Sequence, residues 1–167
     1  MAHYLLVIGD RVALGWILRE QRMAFRATLR REVTALAPGD GLFIYTTRGC
    51  FKSPTRDRGR VIGKARVATA VQPLNSPVSF GGRDFTRGCS IILESLVPRG
   101  SGQELGSLVD SLEALRSLGA AWPVALRRPL VALNDTDASA LEGVRGAARR
   151  PDESLVAPYA RWFDVEA

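Results

Sequence analysis

The chain has 167 residues, 46% of them apolar, and 23 Arg and Lys against 17 Asp and Glu leave a net charge of +6. That length and apolar content supply one hydrophobic core and exclude two. A single histidine, His3, and two cysteines, Cys50 and Cys89, exclude a His-rich metal centre and a disulfide framework, so no metal and no cofactor is expected.

The opening segment HYLLVIG, His3 to Gly9, is short and apolar and stops at Gly9-Asp10, which predicts a buried strand. From Arg11 to Leu36 helical spacing occurs in places: Leu29, Val33 and Leu36 share one face, and the turn PGDG at 38–41 ends the segment. LFIYT, Leu42 to Thr46, is the next strand. Arg60 to Val71 alternates and then continues as a long strand, paired with Leu42 to Thr46 as a hairpin, with Gly63 at a bulge or a close backbone approach. Gln72 to Asp84 carries Pro73, Pro77 and the pair Gly81-Gly82 and predicts a connection, after which Cys89 to Pro98 is a strand closed by its proline. Leu105, Leu108, Val109, Leu112, Leu115 and Leu118 form a helical stripe, and Asn134 is placed to cap a helix with an acidic first turn. One domain over residues 1–147 is expected, followed by a Pro-punctuated tail, 148–167, either packed through Trp162 and Phe163 or mobile. Strands and helices without regular alternation predict an α+β domain on a curled sheet.

No run of about 18 apolar residues occurs, and the N-terminus lacks a basic region or cleavage-like site, so a cytoplasmic protein with no membrane partner is expected. Residues 1–100 hold 16 basic against 7 acidic side chains, whereas 101–167 hold 7 against 10, and 21 of the 23 basic residues are arginine. A polyanion is a candidate partner of the basic part; a solvated basic surface without a ligand is the alternative. The charge peaks in RGCFKSPTRDRGR, residues 48–60, where Arg48, Lys52, Arg56, Arg58 and Arg60 are candidates for phosphate neutralisation. Phe51 in the same loop either offers a stacking face or packs inward. Cys50, flanked by Arg48 and Lys52, is a candidate nucleophile if those charges lower its pKa, but no imidazole other than His3 exists to serve it. Asp57, between Arg56 and Arg58, reads as an ion-pair organiser of the loop rather than a general base. Neither GDG nor GG continues into the helix that a phosphate-binding glycine loop requires.

Taken in order, HYLLVIG, LAPGDGLFIYTT, RVIGKARV, CSIILESLVP and LRRPLVALNDTDASAL resemble the EVE domain, a PUA-like domain related to YTH and ASCH domains. The resemblance spans Ala2 to Val144. It implies a pseudo-barrel of mixed strands flanked by helices, with a pocket that accepts a modified base flipped out of nucleic acid. By position, the pocket wall would come from Met23 to Phe25, from Tyr45, Thr46 and Thr47, and from Phe80 to Thr86, with the basic loop holding the backbone beside it. The tryptophans frequent in such pockets are replaced here by Met23, Phe25 and Phe85, and the loop is longer and more basic than in the family.

The resulting expectation is a nucleic-acid-binding module, for DNA or RNA, with Phe25, Tyr45, Phe51 and Phe85 as base contacts and single strands or extrudable bases as ligands. The alternatives are an enzyme acting on nucleic acid or a nucleotide through Cys50 or Asp57, and a protein-interaction module using Trp162 and Phe163.

Overall fold

The structure, a computed structural model, describes residues 1–27, 30–143 and 146–166, with Glu166 described by its backbone. Eight strands and five α-helices follow one another as β1 (His3–Ile8), α1 (Arg11–Glu20), β2 (Arg22–Phe25), α2 (Arg31–Ala35), β3 (Gly41–Thr46), β4 (Arg60–Val67), β5 (Gln72–Phe80), β6 (Arg83–Leu96), β7 (Gln103–Glu104), α3 (Glu113–Arg116), β8 (Leu130–Leu133), α4 (Asp135–Gly143) and α5 (Glu153–Glu166). Two 3-10 segments, Leu105–Ser111 and Gly119–Arg127, flank α3. The strands form one sheet in the order β2-β6-β4-β3-β1-β8, with β5 added to β6 and β7 to β4. Only β1 and β3 run parallel among these pairings, so the sheet is mixed and the protein is α+β, as expected.

The single core expected from length and composition is not what forms: because the sheet is covered on both faces, strand alternation divides the interior into two cores, one on each face. On β3, Leu42 and Ile44 enter the core that α1 and α5 cover, while Phe43 and Tyr45 enter the core beneath the 3-10 segments, α3 and α4. Two features fix how the sheet curls. The pairing of β3 with β4 shifts register between Ile44 and Tyr45, leaving Ile62 as an extra residue, and a side chain at Gly63 would meet the Ser95 carbonyl at 2.3 Å. Gly63 is therefore both beside a bulge and at a close backbone approach, which bends the strand and sharpens its twist.

Polar side chains fix the helix starts. The Asp10 carboxylate accepts from Val12 N–H (2.8 Å) and Ala13 N–H (3.0 Å), satisfying donors that the first turn of α1 leaves unpaired. Asn134 accepts from Asp137 N–H at 2.7 Å, so the expected cap is present. Asp137 itself is buried, and its carboxylate takes Glu113 N–H (2.7 Å) and Ala114 N–H (3.1 Å) at the start of α3. A buried charge is tolerated there because the backbone donates to it.

Several expected elements differ. Gln72 to Asp84 is no connection: β5 and β6 form a long hairpin whose two-residue turn is Gly81 (φ 57°) and Gly82 (φ 72°), the left-handed geometry that suits strand twist. β6 accordingly begins at Arg83, and β4 ends at Val67 rather than Val71. The stripe from Leu105 is 3-10 for its first turns; an i, i+3 spacing repeats as well at three residues per turn as in an α-helix. Of the stripe Leu29, Val33 and Leu36, Leu29 lies outside the described residues, while Val33 and Leu36 are buried on either side of the end of α2. Residues 153–166 form a 14-residue helix, α5, packed along α1. Asp152 caps it through Leu155 N–H (3.0 Å), and the Leu96–Arg149 backbone pair (3.0 and 3.1 Å) pins its lead-in to the end of β6. Tyr159, 1% exposed, donates its hydroxyl to the Val97 carbonyl at 2.8 Å, anchoring the helix in the core.

Candidate functional site

The basic loop, residues 47–59, leaves the end of β3 and returns as β4. Thr47 N–H donates to the Ile8 carbonyl (3.0 Å), tying the loop to the end of β1. Successive turns then close it on itself: Cys50 N–H to Thr47, Lys52 N–H to Gly49, and both Arg56 and Asp57 N–H to Ser53. Arg48 donates from Nε and Nη2 to the Pro54 carbonyl (3.2 and 2.9 Å), bracing the loop across its width. Arg48, Lys52, Arg56 and Arg58 are all exposed, and among the described residues none makes an ion pair with a carboxylate. Arg60 differs: its Nη1 donates to the Gly102 carbonyl (2.9 Å) and its Nη2 lies 3.6 Å from Glu104, across the pairing of β4 with β7.

The two groups considered for catalysis sit differently from the sequence expectation. Cys50 is 1% exposed, and burial pushes its thiol up to about 12, with Asp10 and Asp57 adding to the rise and Arg11 and Arg99 opposing it. Desolvation outweighs the positive neighbours, so the thiol is held protonated rather than activated. Asp57 makes no ion pair among the described residues, and its buried Oδ2 has no hydrogen-bond partner, so it does not organise the loop through Arg56 or Arg58. Its N–H, donated to Ser53 at 2.8 Å, shapes the turn instead. Cys89 is core, with burial pushing it up to about 11.

The seven residues proposed for a base pocket do not meet at one place. Met23 and Phe25 are buried in the core beneath α1, whereas Tyr45, one strand alternation away from Ile44, lies in the core on the opposite face. Thr46 is buried at the end of β3, and Thr47 is half-buried at the loop entrance. Phe85, half-buried, stacks at 5.9 Å on Phe80, which lies 5.5 Å from Trp16 of α1. The hairpin turn of β5 and β6 brings this aromatic group toward Asp10, since a side chain at Gly81 would lie 3.4 Å from the Asp10 carboxylate. Phe51 faces the other way, 5.6 Å from Trp162 and 6.4 Å from Tyr159 of α5. The inward-packing reading of Phe51 is what the structure shows: the ring packs on the core, and the residue stays partly exposed.

Sequence reasoning missed a group of residues around that ring. Arg11 at the start of α1, Arg99 after β6 and Arg161 of α5 place their guanidinium carbons 4.7, 5.0 and 4.8 Å from the Trp162 ring centre. Arg99 also lies 4.8 Å from the Phe51 ring, and Arg11 Nη1 donates to the Phe51 carbonyl at 3.5 Å. Only Arg161 and Trp162 are neighbours in sequence; the fold alone brings Arg11, Phe51 and Arg99 to them. An open depression of about 600 Å³ lies elsewhere, lined by His3, Lys64, Asp135, Ser139 and Glu142, and holds none of the predicted site residues. Among the described residues no cluster of metal-ligating side chains occurs, and no helix is long and apolar enough to cross a membrane.

A curled mixed sheet with one parallel pair among the described strands, flanked by helices on both faces and with a basic loop at one end, is a half-barrel of mixed strands, the architecture that the resemblance implies. No family model matches the chain, and no curated protein matches it. Among solved structures it is similar to the human THYN1 protein in complex with 5-methylcytosine-containing DNA, at 11% identity and a TM-score of 0.51 over 90% of this chain and 100% of that one. It is similar to the YTH domain of the Zygosaccharomyces rouxii MRB1 protein in complex with N6-methyladenosine RNA, at 8% identity and 0.58 over 89% of each chain. A Pseudomonas syringae protein shares the fold at 14% identity and 0.56, over 86% of this chain and 99% of its own.

Proposed function

We propose that the protein is a nucleic-acid-binding module that reads a modified or flipped-out base beside its basic loop. One observation carries this reading: four exposed cationic side chains, Arg48, Lys52, Arg56 and Arg58, stand on a braced loop at one end of the half-barrel, and among the described residues none of them is ion-paired with a carboxylate. Unpaired surface cations held close together repel one another and are relieved by a polyanion, whose counterions they displace. The fold adds support, since structures sharing it include complexes with methylated DNA and with methylated RNA.

In this reading the loop grips phosphates, with Arg60 adding charge at its edge. Phe51, with Thr47 at the loop entrance, is the base contact beside the loop, and Phe85 is a separate candidate contact on the β5–β6 hairpin, while Met23, Phe25, Tyr45 and Thr46 are buried and do not wall one pocket. Each stacked base contributes about 1–3 kcal/mol. The buried, protonated Cys50 runs against the enzymatic alternative, as a nucleophile needs the thiolate.

The test is fluorescence anisotropy with short DNA and RNA strands, plain and carrying methylated cytosine or adenine, at two salt concentrations. Preferential binding to one modified strand that persists at the higher salt is expected. Arg56→Ala weakens binding to every sequence and lowers the salt slope by about one. Equal affinity for plain and modified strands would remove base reading, and an unchanged slope in Arg56→Ala would remove the loop from the contact.

A further inference from the structure

We propose that Arg11, Arg99 and Arg161, gathered round Trp162, form a phosphate clamp that extends the path of a bound single strand from the basic loop across α5. The inference rests on the nucleic-acid reading above and assigns a second contact region from residues distant in sequence.

Three guanidinium groups lie within 5.0 Å of one indole centre. A ring has two faces, so at least two of three cations stacked over it share one. Among the described residues none of the three makes an ion pair with a carboxylate. Two acids of the elements that carry Arg11 and Arg161 are otherwise engaged: Asp10 Oδ1 caps α1, and Asp164 pairs with Arg19 at 2.7 Å. Asp57, which faces Cys50 together with Arg11 and Arg99, makes no ion pair among the described residues. Aromatic faces attract each guanidinium but cannot cancel the repulsion among them. An anion can, and the planar fork of arginine matches phosphate oxygens two at a time.

The surroundings favour a strand over an isolated anion or an acidic peptide. Arg99 lies over both the Phe51 and the Trp162 rings, whose centres stand 5.6 Å apart, so a cation and two aromatic rings form one compact group. A single strand presents phosphate charge and base π-faces side by side, whereas an isolated anion, or an acidic peptide without aromatic residues, supplies only the charge. Phe51 belongs to the basic loop itself, and Arg11 holds its carbonyl, so the clamp continues the loop without a break.

The experiment measures the salt dependence of binding of fluorescein-labelled oligo(dT) and oligo(U) strands to the full chain and to Arg99→Ala, Arg161→Ala, Arg161→Lys and Arg66→Ala. Arg66 is exposed on β4 opposite Gly41, at the far end from the loop, so its loss removes the same charge elsewhere. Arg99→Ala and Arg161→Ala are each expected to lower the slope of log affinity against log salt by about 0.7, the value for one single-strand phosphate contact. Arg161→Lys keeps most of the slope, and Arg66→Ala keeps all of it. Wild-type binding with unchanged slopes in both alanine variants overturns the clamp and leaves the loop reading standing. Absence of wild-type binding to either strand at low salt overturns both. A poly-glutamate peptide that displaces the strands, with the same losses in the alanine variants, overturns the assignment to phosphate.

Discussion

Lys52 adopts φ 60°, a left-handed conformation that costs a residue with a side chain about 1–2 kcal/mol and glycine almost nothing. The turn requires it, because Lys52 N–H closes onto Gly49, and the side chain is exposed with no partner that would repay the strain. A strained residue kept at the crest of a cationic loop points to use of its charge. Lys52→Gly is expected to leave the urea midpoint unchanged or slightly raised while weakening strand binding. Loss of stability without loss of binding would show that the lysine serves the fold. Cys50 shows the opposite balance: its neighbours Arg48 and Lys52 in sequence promise activation, yet burial prevails. Adjacency along the chain does not report which charges face a group in space.

At the scale of elements, the contact between α1 and α5 depends on Gly15. A side chain there would meet the Phe163 Cβ at 2.5 Å and the Ala160 Cα at 3.0 Å, so the two helices touch backbone to backbone. Gly15→Ala gains about 1 kcal/mol of helix propensity, but overpacking of about 1–3 kcal/mol opposes it, and backbone cannot yield as a flexible side chain would. The melting temperature is expected to fall by a few degrees, and a rise would show that α5 sits further from α1 than described. Much of the sheet is legible before folding: the apolar runs of β1 and β3 lie within one or two residues of their expected places, because burial on both faces leaves a continuous apolar signature. The β5 and β6 hairpin is not, since Pro73 and Pro77 suggest a loop while Gly81-Gly82, the better guide, marks a turn only once both flanks are taken as strands. α5 is hidden by Pro158, which forfeits one backbone bond near the start of a helix that Asp152 caps and Tyr159 anchors. The site is legible only as a charge peak, for Trp162 and its three arginines come from three separate segments: the start of α1, the turn after β6, and α5.

For the whole molecule, burial of titratable groups in the two cores sets the alkaline limit of stability. Cys50 and Cys89 are raised from 9.0 to about 12 and about 11, and Tyr45 from 10.0 to about 12, in each case chiefly by burial. In the unfolded chain these groups release protons first, so between about pH 9 and 12 the unfolded state binds fewer protons than the folded one and stability falls as pH rises. Below pH 9 this contribution is fully present. Urea midpoints at pH 7, 9 and 10.5 are expected to hold between the first two and drop at the third, with a smaller drop in the double variant Cys50→Ala/Cys89→Ala. A flat profile would mean that the cores admit water to these groups. The docking of α5 also has a consequence during synthesis. Leu14, Ile17 and Leu18 of α1 share a core with Leu155, Tyr159 and Ala160, so α1 is synthesised well before the residues that cover it. A nascent chain that has not yet reached α5 displays that bare apolar stripe, which exposes it to chaperones and proteases until α5 docks.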